Sequence, residues 1–166
     1  MLNVRPVKPE HAINEVVFVL IFTQTLTEQS LYSLKQLEEQ LQGKSFKMET
    51  REGSGVQIDS SGKIEAQPAR LLSITFKHFT NKQQFDWALR AQENFLAINC
   101  LDYDGGWNKI WPQAHNLLKI AADKLVNTEQ SIESLSLQYI DRFIYEGEIK
   151  SYKTSTILND KSDYFK

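Results

Sequence analysis

The sequence predicts an α+β fold: a mainly antiparallel sheet with two amphipathic helices packed on one face. Three observations carry this. Residues 15–22 form a dense run of β-branched and aromatic residues. Two stretches show apolar residues at helical spacing, residues 25–42 and 107–125. Between and after them lie short alternating runs separated by turn residues. Strands and helices segregate instead of alternating, which opposes a doubly wound parallel sheet. The expected order is β-α-β-β-β-β-β-α-β.

Residues 1–14 read as a lead-in, because Pro6 and Pro9 disfavour helix. Residues 15–22 follow as a strand. Their apolar residues do not alternate, so both faces are expected to be covered. Thr25 and Glu28 fit the capping-box spacing at a helix start. Leu31, Leu34, Leu37 and Leu41 supply the apolar stripe of that helix, and Gly43 is the expected stop. Residues 46–50 and 56–58 are short strands around Gly53 and Gly55. In residues 71–79, Leu72, Ile74 and Phe76 are expected on one face, with Ser73, Thr75 and Lys77 on the other. Phe85, Trp87, Leu89 and Ala91 alternate in the next strand, and residues 92–94 turn it into residues 95–101.

Asp104, Gly105 and Gly106 interrupt the strands before the second helix. Trp107, Trp111, Ala114, Leu118, Ala121 and Leu125 form its stripe. Pro112 is harmless if that helix begins near Asn108, because amides of the first turn have no helical acceptor. Asn127 and Thr128 end it. Residues 134–144 form the last strand, with Leu135, Leu137, Tyr139 and Phe143 on one face. Residues 1–145 thus make one α+β domain. Residues 146–166 are a polar extension, read as the possible start of a second domain lacking here.

The chain has 166 residues, enough for one well-buried core without a disulfide or metal. A net charge of −2 gives no general attraction to nucleic acid or to an anionic membrane. The basic residues Lys63, Arg70, Lys77, Lys82 and Arg90 are interrupted by Glu65 and Asp86, so a solvated sheet face is the better reading than a nucleic-acid site. The longest apolar run, residues 16–22, is too short to span a bilayer. One cysteine and no visible targeting segment point to a reducing, cytoplasmic location.

No catalytic, cofactor or metal pattern is present. His11, His78 and His115 have no second ligand at metal spacing, and Cys100 has no CxxC partner. Asp102 and Asp104 flank a turn that needs such residues anyway. One position resists this reading. Asp141 falls in register with Leu135, Leu137 and Tyr139, so a carboxylate is directed at an apolar layer unless the strand lies at the sheet's edge.

Three segments carry a resemblance. They are residues 14–18 (Asn-Glu-Val-Val-Phe), residues 95–99 with 103–107 (Tyr-Asp-Gly-Gly-Trp), and residues 137–142 (Leu-Gln-Tyr-Ile-Asp-Arg). They resemble the landmarks of a sporadically distributed prokaryotic family of uncharacterised proteins, with an "I-x-E-V-V-F" strand, an "N-x-L-x-x-Y-x-G-W" turn and an "R-Y-I-N-R" strand. The turn here has an extra glycine. Gln138 and Asp141 stand where that pattern has Arg and Asn. The resemblance implies a further α/β portion in longer members and carries no catalytic residue.

Two functions are expected. The first is a non-catalytic module that binds a protein partner or itself, for example within a toxin–antitoxin or defence pair. Its motive is the doubly apolar first strand. The alternative is a small-molecule domain with an apolar pocket between a curved sheet and the second helix, lined by Trp87, Trp107 and Trp111, with Asp141 as a further ligand-binding candidate. An enzyme ranks behind both.

Overall fold

Strand pairing in the computed structural model places residues 13–22 inside a six-stranded antiparallel sheet. The structure describes residues 4–58, 60–66, 68–80, 84–125 and 130–147. The elements run β1 (Val4–Pro6), β2 (Ile13–Phe22), α1 (Glu28–Lys35), α2 (Leu37–Gln42), β3 (Phe46–Gly53), β4 (Val56–Ile58) and β5 (Ile64–Ala66). Then come β6 (Arg70–Phe79), β7 (Phe85–Gln92), β8 (Phe95–Cys100), α3 (Trp107–Leu125), β9 (Ile132–Asp141) and β10 (Phe143–Tyr145). The main sheet has the order β3-β6-β7-β8-β2-β9. Two-stranded ribbons, β1–β10 and β4–β5, flank it.

The α+β class and the antiparallel sheet are as the sequence predicts. All three helices pack on one face. Val16, Phe18, Leu20 and Phe22 of β2 point into that layer, joined by Ile74, Phe76, Leu89, Leu96 and Ile98 from neighbouring strands. Leu31, Leu34, Leu37 and Leu41 from α1 and α2, and Ile110, Ala114, Leu117 and Ala121 from α3, close it. Each of the larger side chains contributes roughly 1.5–3 kcal/mol of burial.

Several local expectations are corrected. The first helix is capped by Thr27, whose Oγ1 accepts from the Ser30 amide at 3.1 Å, not by Thr25. Glu28 does not reach back to the cap. Its Oε1 accepts from the Leu71 amide at 3.2 Å, tying α1 to β6. The helix breaks at Gln36 into α1 and α2. Gly43 keeps right-handed helical angles, and the left-handed residue beyond α2 is Ser45, at φ 63°. Helix α3 starts at Trp107, so Pro112 falls in its second turn and leaves the Asn108 carbonyl without an i+4 amide. Gly105 and Gly106, at φ 85° and 73°, make the sharp entry to α3 that other residues reach only with strain. The expected helix end at Asn127 and Thr128 lies outside the described residues, as does the extension from residue 148 onward.

Leu72 is the clearest side-chain correction. A register shift between Arg51 and Glu52 on β3 moves Leu71 into the core and leaves Leu72 46% exposed. The bulge inserts one residue against β3, so strict alternation fails there. The turn between β7 and β8 is two residues long, with Glu93 at φ 49°. Its carbonyls anchor the chain leaving β2, accepting from the Phe22 amide (2.8 Å, Asn94) and the Leu26 amide (2.6 Å, Glu93).

Ile74→Ala is expected to cost about 2–5 kcal/mol, because Ile74 is fully buried. Leu72→Ala is expected to cost less than about 1 kcal/mol. Urea unfolding of both variants checks this. Equal losses would place Leu72 in the core and refute the bulge.

Candidate functional site

The placement of helices leaves two surfaces that the core does not use. The first is the open face of the sheet. Because β2 alternates with period two, Val17, Val19 and Ile21 point away from the helices. They oppose Asn99, Ala97 and Phe95 of β8. A shallow cleft of about 350 Å³ runs over these side chains, with Gln138 at its rim. Coverage of β2 on both sides holds only in part: helices cover one face, while on the other Val17 is buried and Val19 and Ile21 are half-buried.

The second surface is the free edge of β9. This strand pairs with β2 on one side and ends the sheet on the other, among the described residues. Direct pairing puts Leu135 beside Leu20, Leu137 beside Phe18 and Tyr139 beside Val16. These three side chains lie on the helix side of the sheet, but α3 does not reach over them. Their exposures are 60%, 42% and 47%.

The two edges of the sheet differ in chemistry. Strand β3, the opposite edge, carries Lys47, Glu49, Arg51 and Glu52. Charges of this kind are the usual device that stops an edge from recruiting another strand. Strand β9 has Glu133 and Asp141 near its ends and no charge between them, from Ser134 to Ile140. Its backbone donors and acceptors are thus flanked by uncharged side chains.

The four residues singled out from the sequence do not converge on one pocket. Trp87 is buried in the core, on β7 opposite Cys100 and His78. Trp107 and Trp111 do meet. Their rings stack at 5.4 Å with planes 6° apart, and both lie against Phe18. Trp107 is 39% exposed, so this pair borders the uncovered strip of β9 on the strand's inner side. Asp141 is exposed at the end of β9, opposite Ile13. The edge position answers the question its register raised, since no helix covers the layer there. Phe143 belongs to β10 and pairs with Pro6.

Several other titratable groups have structural partners. Lys8 Nζ donates to Asp102 Oδ1 at 2.6 Å and to the Tyr103 carbonyl at 2.5 Å, fastening the lead-in to the β8–α3 turn. His78 Nδ1 lies 2.5 Å from Asp86 Oδ1, a pair formed across β6 and β7 that sequence spacing does not reveal. Lys77 pairs with Glu49 at 2.6 Å, so part of the basic stretch is neutralised within the sheet. Among the described residues no cluster of His, Cys, Asp or Glu could hold a metal, and no helix is long and apolar enough to cross a membrane. Burial pushes the Cys100 thiol up to about 11. A thiol held this way is a poor nucleophile at neutral pH.

No protein-family model matches the chain, and no curated protein or solved structure matches it.

The raised Cys100 pKa has a defined sign in stability. The folded state holds this proton more tightly than the unfolded chain does, so the contribution is complete below about pH 9 and is lost as pH rises towards 11. Cys100→Ala is therefore expected to flatten the fall in unfolding free energy between those pH values. Denaturant titrations of both proteins across that range check it. Parallel curves would show that the thiol titrates normally.

Proposed function

We propose that this chain is a protein-interaction module that docks its partner along the free edge of β9. The observation that carries this reading is the contrast between the two edges: β3 is charged along its length, while β9 is uncharged from Ser134 to Ile140 and exposes Leu135, Leu137 and Tyr139. An extended segment laid beside β9 would gain a ladder of backbone hydrogen bonds, the source of affinity in strand addition. Alternate side chains of that segment would meet the leucines and tyrosine, which supplies selectivity. A partner from a toxin–antitoxin or defence pair would fit this mode.

A small-molecule role is the second reading, supported by the cleft over Val17, Val19 and Ile21. Its volume, about 350 Å³, lies at the small end of ligand pockets. It lies on the face away from the second helix, and no tryptophan lines it.

Selection from a displayed library of extended peptides tests the first reading. Peptides with alternating apolar residues are expected to enrich on the wild-type chain. Their affinity should fall at least about tenfold with Leu137→Lys, a change at an exposed position that introduces the charge β9 lacks. Thr50→Lys on the opposite edge should leave binding unchanged. Binders indifferent to Leu137→Lys would refute docking at β9.

A further inference from the structure

We infer that the occupant of the β9 edge is a second copy of this chain, paired antiparallel with β9 about a twofold axis at Ser136. The inference rests on β9 being the docking edge and adds which partner it takes. An axis normal to the sheet keeps both copies' helices on the same side, so the side chains of Leu135, Leu137 and Tyr139 from the two chains meet on one face.

Geometry restricts the registers. Directly opposed residues on antiparallel strands share a face, so only an axis through a residue, not between two, is allowed. With the axis at Ser136, Leu135 of each copy opposes Leu137 of the other. Ser134 opposes Gln138, a pair able to hydrogen-bond on the open face. Glu133, at the bulge where β9 slips past Ile21 and Phe22, lies towards the other copy's Tyr139 hydroxyl, which can donate to it.

Neighbouring registers are worse. An axis at Leu137 brings Glu133 towards Asp141 on both sides of the dimer, a like-charge approach. An axis at Gln138 sets Leu135 against Asp141, and one at Leu135 sets Glu133 against Leu137. Of these registers only the one at Ser136 both matches apolar with apolar and sets no carboxylate directly opposite another carboxylate or a leucine. The uncharged run is thus complementary to its own reverse. Pairing doubles the six-stranded sheet and removes the one uncharged edge.

The full chain tests this directly. Sedimentation equilibrium is expected to show a concentration-dependent dimer, weakened at least about tenfold by Leu137→Lys. Ser136→Cys places two thiols across the axis within reach of a disulfide, so mild oxidation should yield a covalent dimer. Leu137→Cys, displaced from the axis, should cross-link roughly tenfold more slowly or not at all. The wild type supplies the control, because Cys100 is buried. Faster cross-linking by Leu137→Cys would overturn the register. A wild-type monomer up to the solubility limit, with no Ser136→Cys cross-link, would overturn self-pairing. If peptides selected on the wild type still depend on Leu137 in that case, docking at β9 stands and the partner is another protein. If they do not, both ideas fall together.

Discussion

The structure depends on the two-sided apolar character of β2. This strand runs through the sheet between β8 and β9, and its even-numbered residues from Val16 to Phe22 lie in the layer under the helices. A strand shows successive side chains to opposite faces, so the same run necessarily presents Val17, Val19 and Ile21 to the other side. Three helices on one face cannot cover both. The open cleft follows from this constraint, and so does the side on which β9 presents its leucines.

Anchors around β2 show how the register is held. The β7–β8 turn grips the chain as it leaves β2, through the carbonyls of Glu93 and Asn94. At the other end, the Arg142 amide donates to the Ala12 carbonyl and the Tyr103 amide to the Asn14 carbonyl. Glu28 fixes α1 to the bulged start of β6. Because a one-residue slip would exchange the two faces of β2, these contacts protect the core as much as they join elements. None of these contacts is an ion pair. The surface pairs such as Lys119–Asp123, with both side chains more than 60% exposed, contribute little by comparison.

The edges complete the picture. A sheet of six strands has two, and this one treats them unequally. Charges along β3 guard one edge. At β9 the guard is absent over its central residues, while the stacked Trp107 and Trp111 border the exposed strip on its inner side. Such an edge leaves backbone donors and acceptors unguarded by charge, and under the proposed pairing the order of residues around Ser136 matches its own reverse.

Much of this was legible in the sequence because burial writes itself as periodicity. The class, the sheet's antiparallel character, the leucine stripe of α1 and α2, and the alternation of β7 all follow from spacing alone. Where one backbone residue changed the count, spacing misled: the bulge that turned Leu72 outward and Leu71 inward leaves no local mark. The candidate site was only partly legible. Asp141 and the leucines of β9 share a stripe that reads as core, and whether such a stripe is buried depends on what lies above it. That is decided by strand order, which places β9 at the margin beyond the reach of α3. Trp87, Trp107 and Trp111 look alike in the sequence, yet Trp87 is in the core, Trp111 is partly buried against that core, and Trp107, stacked on Trp111, is exposed. Sequence by itself determined which residues must avoid water and with what period. Only the tertiary structure decided which of them succeed, because covering a face requires a second layer, and which strand ends uncovered depends on contacts between residues far apart in the chain.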